Sequence, residues 1–240
     1  MTAAEGSGQL ALALDKARSR ASQAALATGR RPETVKLMLA TKTQPAALIR
    51  QAIALGFTLI GENRVQELVS KAPVLADLPH RTHLIGPLQS NKINAALRHV
   101  ECVETVASLG LAEQLSRRST DRPEPLEVMV QVNTSGEPTK SGCQPAQAAD
   151  LAAMVGALPG LRLVGFMTVG LNSPDAGAVL GSYLALRVIR DQVVASGEAG
   201  TAEARELSMG MSGDLELAVQ AGATIVRLGT AVFGPRAPAT

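Results

Sequence analysis

The stretch Val35-Lys36-Leu37-Met38-Leu39-Ala40-Thr41, followed by Lys42-Thr43-Gln44-Pro45, decides the fold. It reads as a short buried strand handing over to a loop, and seven more apolar runs repeat the pattern. They are Phe57–Ile60, Thr82–Ile85, Glu101–Thr105, Leu126–Val132, Leu161–Met167, Ala204–Ser208 and Thr224–Leu228. Helical patterns fill the intervals at Ala46–Ala54, Val65–Ala72, Ile93–Leu97, Leu109–Arg118, Ala146–Leu158, Ala176–Ala195 and Leu215–Ala221. Strict alternation implies parallel pairing, and eight units in about this length predict an α/β chain folded as a (β/α)8 TIM barrel. A doubly wound open sheet is the alternative, but no G-x-G-x-x-G follows the first strand, where Lys42-Thr43-Gln44-Pro45 stands instead. An amphipathic helix over roughly Gln9–Thr28, with Ser7 as its N-cap, precedes the barrel. With no break in composition and no low-complexity linker, residues 1–240 read as a single domain, residues 1–30 forming an extra N-terminal helix packed on the barrel.

Lys42 puts a primary amine at the mouth of an apolar strand. Partial desolvation there disfavours the ammonium form and makes the amine a better nucleophile, the condition in which lysines form Schiff bases with aldehydes. A solvated strand-end cap is the plainer reading of this position alone. The remainder of the chain has to supply an aldehyde's binding site for the first reading to hold.

Composition excludes several other functions. The chain has 240 residues, 46% hydrophobic and 18% charged, with 23 basic residues scattered among 21 acidic ones for a net charge of +2. Such a balance offers no basic stripe for a phosphate backbone, and 2% aromatic content removes the stacking platforms used on single strands, so nucleic acid is an unexpected partner. Cys102 and Cys143 form neither a disulfide framework nor a metal-ligand spacing. His80 and His83 lie three apart, but Pro79 and the run at 82–85 spoil a helical pairing of ligands, so no metal site is expected. The start of the chain has no basic n-region, and no apolar stretch reaches the ~18 residues of a membrane span. These features together predict a cytoplasmic protein without a membrane partner.

Polar residues bunch after the apolar runs and not before them, as a barrel with one functional mouth requires. Lys42, Gly61-Glu62-Asn63, Gly86–Lys92, Asn133-Thr134-Ser135, Thr168, Ser208–Asp214 and Arg227–Thr230 all follow runs, whereas Ala54-Leu55-Gly56 and Ala221-Gly222-Ala223 precede them. After the seventh and eighth strands, Ser208-Met209-Gly210-Met211-Ser212-Gly213-Asp214 and Gly229–Gly234 have the small residues that let backbone N–H groups approach a phosphate. Either loop alone is equally a Ser/Gly turn or helix cap. A phosphorylated ligand facing Lys42 is therefore the expectation.

Several of these motifs in order carry a resemblance. Lys42-Thr43, Gly61-Glu62-Asn63-Arg64-Val65-Gln66-Glu67, His83-Leu84-Ile85-Gly86-Pro87-Leu88-Gln89-Ser90-Asn91-Lys92, Leu207–Asp214 and Val226–Thr230 resemble the YggS/PROSC-type pyridoxal phosphate homeostasis proteins over about residue 35 to Arg236. The resemblance implies the barrel of the alanine racemase N-terminal domain and pyridoxal 5'-phosphate as cofactor. It implies Lys42 as the Schiff-base lysine, Ser208 with the backbone of Gly229 and Thr230 as the phosphate cradle, Met209 as a further cofactor-binding residue, Arg227 facing the pyridine nitrogen, and Asn63 beside the ring. Arg64 and Phe166 depart from the residues often found there in the family.

A guanidinium cannot deprotonate near neutral pH, so Arg227 opposite the pyridine nitrogen would leave the ring unprotonated and a poor electron sink. Arg227 read plainly is a solvated strand end or a partner of Glu62 or Asp214. Alanine racemase also needs a second acid/base, a tyrosine from a further domain, and Tyr183, the only tyrosine here, falls in the helical stretch 176–195. Glu62, Glu67, Lys92 and Lys140 are further polar groups able to reach a mouth, Lys92 and Lys140 as second amines for capture or handover of the cofactor. The expected function is reversible holding of pyridoxal phosphate for homeostasis and supply to apo-enzymes, without strong turnover. A pyridoxal-dependent amino-acid racemase of the barrel type is the alternative reading. An aldolase-like barrel using Lys42 on a phosphorylated sugar is a third.

Overall fold

The structure, a computed structural model, describes residues 3–234; Met1, Thr2 and residues 235–240, Arg236 among them, lie outside the described residues. Eight parallel strands close on themselves in chain order. They are β1 (Lys36–Ala40), β2 (Leu59–Glu62), β3 (Arg81–Leu84), β4 (Cys102–Val106), β5 (Leu126–Gln131), β6 (Leu161–Met167), β7 (Glu206–Ser208) and β8 (Ile225–Leu228). Closure comes from β1 against β8, with Lys36 beside Ile225 and Met38 beside Arg227. All eight apolar runs became strands, and the open-sheet alternative is excluded by that last pairing.

Helices α2 (Ala46–Ala54), α3 (Val65–Leu75), α4 (Ile93–Leu97), α5 (Leu109–Ser119), α6 (Ala148–Gly156), α7 (Ala176–Ala195) and α8 (Leu215–Ala221) alternate with the strands, and α9 (Thr230–Phe233) follows β8. Ser108 caps α5 by accepting from Leu111 N–H, and Asp175 caps α7 by accepting from Gly177 and Ala178 N–H, satisfying donors that a helix start leaves open. Leu39, Ile60, Leu84, Val103, Val128, Leu163, Leu207 and Val226 are buried in the core the strands share with the helices. The opposite residues of the strands fill the barrel, where Met38, Cys102, Met129, Val164, Met167 and Ile225 form an apolar cluster. Side chains alternate faces along a strand, so the runs are largely apolar on both sides, with His83, Glu104, Ser208 and Arg227 among the buried polar exceptions.

The N-terminal helix α1 (Ala3–Ala27) packs against α8 and α9, burying Leu10, Leu14, Ala17, Ala21 and Ala25. It begins earlier than expected: Ser7 lies inside it and is exposed, so Ser7 is not its N-cap. Gly6 and Gly8 flank Ser7 and disfavour a helix, so local propensity does not explain the extension, and nothing else in the structure does. None of the described helices is long and apolar enough to cross a membrane.

Candidate functional site

The turn after β1 carries Lys42. Gln44 N–H donates to the Thr41 carbonyl at 3.0 Å, placing Lys42 and Thr43 at the corner. Thr43 is at φ 64°, the only non-glycine with positive φ among the described residues, and a β-branched residue there is strained unless its surroundings hold it. They do: Thr43 N–H donates to Glu67 Oε2 at 2.6 Å, and Lys71 Nζ donates to Glu67 Oε2 at 3.2 Å, to Glu62 Oε1 at 2.8 Å and to the Thr41 carbonyl at 2.8 Å. Thr41 Oγ1 donates to the same Glu62 oxygen at 2.6 Å. The backbone on both sides of Lys42 is thus clamped by one buried ammonium and two carboxylates. Partial burial opposes the Glu67 charge, but Thr43 N–H and the Lys71 ammonium outweigh it and hold its pKa below the ordinary carboxylate value.

Lys42 itself is half-buried and lines a cavity of about 680 Å3 at the C-terminal ends of the strands. Asn63, Arg227, Gly229 and Thr230 line it too, so five of the seven residues singled out from the sequence share one chamber. Ser212, Gly213 and Asp214 form the wall beside Gly229 and Thr230, and Ala231 N–H donates to Ser212 Oγ at 3.1 Å, tying the β7 and β8 loops together. Asn63 is brought in by Gly86, where an added Cβ would stand 2.1 Å from the Asn63 carbonyl oxygen. The Asn63 Oδ1 atom is buried and lacks a hydrogen-bond partner.

Ser208 and Met209 do not line the cavity, and both are fully buried. Met209 belongs to the core. The Ser208 hydroxyl donates to Glu104 Oε2 at 2.6 Å and accepts from Arg227 Nη1 at 2.9 Å, inside the barrel. Arg227 also donates from Nη2 to the Thr168 carbonyl at 2.7 Å. It is therefore neither a solvated strand end nor paired with Glu62. Burial lowers the Arg227 pKa from its ordinary value, with Glu104 opposing the shift. Burial opposes the charge of Glu104 as well, but His83, Arg227 and Ser208 hold its pKa below the usual range.

The other polar candidates are spread around the rim. Glu62 points into the helix layer and Glu67 to the Lys42 turn, as described above. Lys92 lines a shallow depression with Asn63, Arg64 and Glu67. Lys140 Nζ joins two mouth loops, donating to Glu137 Oε1 at 2.6 Å and to the Gly170 carbonyl at 2.7 Å. Tyr183 is buried, and its hydroxyl donates to Asp214 Oδ2 at 2.8 Å; burial first, then Asp214, pushes its pKa well up.

Sequence reasoning missed the Val169–Pro174 wall of the cavity, Lys71 under the turn, and Glu104. Glu104 had a readable signal: a carboxylate in an apolar run, two residues from Cys102 and so on the same face. His83, Cys102 and Glu127 come close enough to share an ion, although their spacing did not suggest it. Both Glu127 oxygens already accept from guanidiniums, Arg81 at 2.6 Å and Arg162 at 2.7 Å, and His83 Nδ1 is held by Glu104 at 2.7 Å.

Residues 14–237 match the family model of the alanine racemase N-terminal domain. A relative from Pseudomonas aeruginosa, named pyridoxal phosphate homeostasis protein, is 42% identical over 221 residues, or 92% of this chain and 93% of that relative. The chain belongs to the YggS/PROSC-type pyridoxal phosphate homeostasis family. Among solved structures, a Bifidobacterium adolescentis protein described as unknown superposes on this family member with TM-score 0.92 at 42% identity, covering 97% of each chain. PipY of Synechococcus elongatus, solved with PLP bound, superposes with TM-score 0.81 at 32% identity, over 94% of this chain and 100% of PipY.

Proposed function

We propose that this protein binds pyridoxal 5'-phosphate in the mouth cavity, holds it through Lys42 as a reversible Schiff base, and serves cytoplasmic homeostasis and supply of the cofactor without strong turnover. The observation that carries the reading is the convergence of Lys42, Arg227, Asn63 and the Ser212-Gly213 and Gly229-Thr230 backbones on one cavity of about 680 Å3. Relatives named for pyridoxal phosphate homeostasis and a neighbour solved with PLP bound support it.

The residues present fit such a group. Small residues on two adjoining loops leave backbone N–H groups accessible to a phosphate. Asn63 offers a buried acceptor oxygen that no protein donor occupies. When bound, the cofactor supplies an aldehyde that condenses with an amine and an aromatic ring able to take up electrons. Lys42 is the amine at the rim, aimed by a turn locked on both flanks. Arg227 keeps a positive charge on the floor, unsuited to accepting a proton from a protonated pyridine. Condensation that is reversible lets a second amine, such as the lysine of a receiving apo-enzyme, take the aldehyde away.

The racemase reading has less support from the same geometry. Its second acid/base would be a tyrosine, and the hydroxyl of Tyr183 is committed to Asp214 behind the cavity wall. Purified protein should show the absorbance of a lysine-bound pyridoxal, and Lys42→Ala should abolish it; an unchanged spectrum overturns the assignment. Steady interconversion of amino-acid enantiomers by the loaded protein would favour the racemase instead.

A further inference from the structure

Four side chains form a hydrogen-bonded column through the barrel. His83 Nδ1 lies 2.7 Å from Glu104 Oε1, Ser208 Oγ donates to Glu104 Oε2 at 2.6 Å, and Arg227 Nη1 donates to Ser208 Oγ at 2.9 Å. Glu104 and Ser208 are fully buried, His83 nearly so, and Arg227 is 6% exposed. The column joins two cavities: Arg227 lines the mouth, and His83 lines a separate cavity of about 710 Å3 at the N-terminal ends of the strands. Beside it lies the apolar cluster, with Met38 level with Arg227 and Cys102 level with His83.

A buried guanidinium needs a counter-charge, because removal of one partner leaves the other ion desolvated and alone. Asp214 lies near enough to add negative potential at Arg227, but the bonded route leads elsewhere, through Ser208 to Glu104. Ser208 can serve as the link because a hydroxyl donates and accepts at once. Glu104 cannot turn away, since one oxygen takes the Ser208 hydroxyl and the other meets His83. The Arg227 fork is then fixed by two acceptors, Ser208 on β7 and the Thr168 carbonyl just after β6. A planar group held at two points has a fixed plane as well as a fixed position.

We infer that Glu104 and Ser208 are positioning residues for Arg227, setting the guanidinium that forms the floor of the mouth cavity. The role assigned to Ser208 is thus support of the floor from inside the barrel, with Ser212 standing at the cavity wall. The use of that floor rests on the cofactor reading; the positioning of Arg227 does not.

The test therefore has two arms, run on the full chain and on Ser208→Ala and Glu104→Gln. In the first, side-chain arginine resonances of cofactor-free protein are followed by 15N NMR. Slowly rotating Arg227 Nη signals are expected in the parent and averaged ones in both variants, with unchanged circular dichroism showing that each is folded. In the second, pyridoxal phosphate is titrated and the pH profile of its bound absorbance recorded. The dissociation constant should rise about tenfold or more, the scale of one lost hydrogen bond to a charged group, and the pH profile should shift. Arg227 signals that stay as in the parent overturn the inference, as do an unchanged affinity and pH profile in folded variants of a protein that binds the cofactor. If the parent binds no cofactor, the function proposed above fails, and the NMR arm alone decides the positioning. Should Glu104→Gln not fold, Ser208→Ala, which keeps the buried carboxylate, decides it.

Discussion

Replacing Lys71 by Met removes the ammonium beneath the Lys42 turn and nothing else of comparable size. Lys71 is 8% exposed and makes hydrogen bonds to Glu62, Glu67 and the Thr41 carbonyl. Glu62 is 1% exposed, and its Oε2 already lacks a partner, so the variant leaves a buried carboxylate whose remaining bond comes from the Thr41 hydroxyl. Breaking one side of a buried ion pair costs about 3–5 kcal/mol. For a chain of this size that corresponds to a melting temperature lowered by roughly 6–20 °C. The chain has no tryptophan, so urea and thermal unfolding are best followed by far-ultraviolet circular dichroism. The double variant Glu62→Gln with Lys71→Met removes the two buried charges, leaving the more exposed Glu67 with its bond from Thr43 N–H, and should return to within about 1–2 kcal/mol of the parent, because replacing a buried pair is close to neutral. A single variant that loses less than about 1 kcal/mol, the worth of an exposed pair, would refute the clamp.

Three further outcomes are expected. Glu104 and Glu67 have pKa values below the 4.5 of an unperturbed glutamate, so their stabilisation is complete above that pH and is lost as pH falls through the lowered values; unfolding free energy should drop in acid, and a Glu104→Gln curve parallel to the parent's would contradict this. Gly86→Ala places a methyl 2.1 Å from the Asn63 carbonyl oxygen and should cost about 1–3 kcal/mol by overpacking together with a fall in bound-cofactor absorbance, a neutral result showing that the two loops are not in close contact. Burial pushes the thiol of Cys143 up to about 11 and that of Cys102 well above its ordinary value, so neither should react with a thiol reagent at pH 8 until the protein unfolds, and rapid labelling of the native protein would count against the packing described.

Local pattern carries much of this protein. Most β-runs are predominantly apolar because their strands are covered on both faces, and each helical stretch shows one apolar side; both features are short-range and survive in a linear text. The asymmetry of the loops is equally local, which is why Lys42, Asn63, Arg227, Gly229 and Thr230 could be gathered at one mouth from their places after strands. Ser7 lies inside α1 although Gly6 and Gly8 beside it disfavour a helix, so that boundary was not legible from local preference.

By itself, then, the sequence determined the eight strand-helix units, the end of the barrel that carries polar residues, and the amine at its rim. Tertiary structure alone decided what stands beneath that rim. Glu104 and Ser208 are 104 residues apart, and Lys71 and Thr41 are 30 apart, so no periodicity links them; they meet because barrel closure brings inward-facing positions of distant strands to one axis and lays α3 under the first loop. Side-chain direction inside a closed barrel is fixed by shear and by competition among buried polar groups for partners. That competition turned Ser208 inward to Glu104 and Arg227, and no neighbour in the chain could have foretold it.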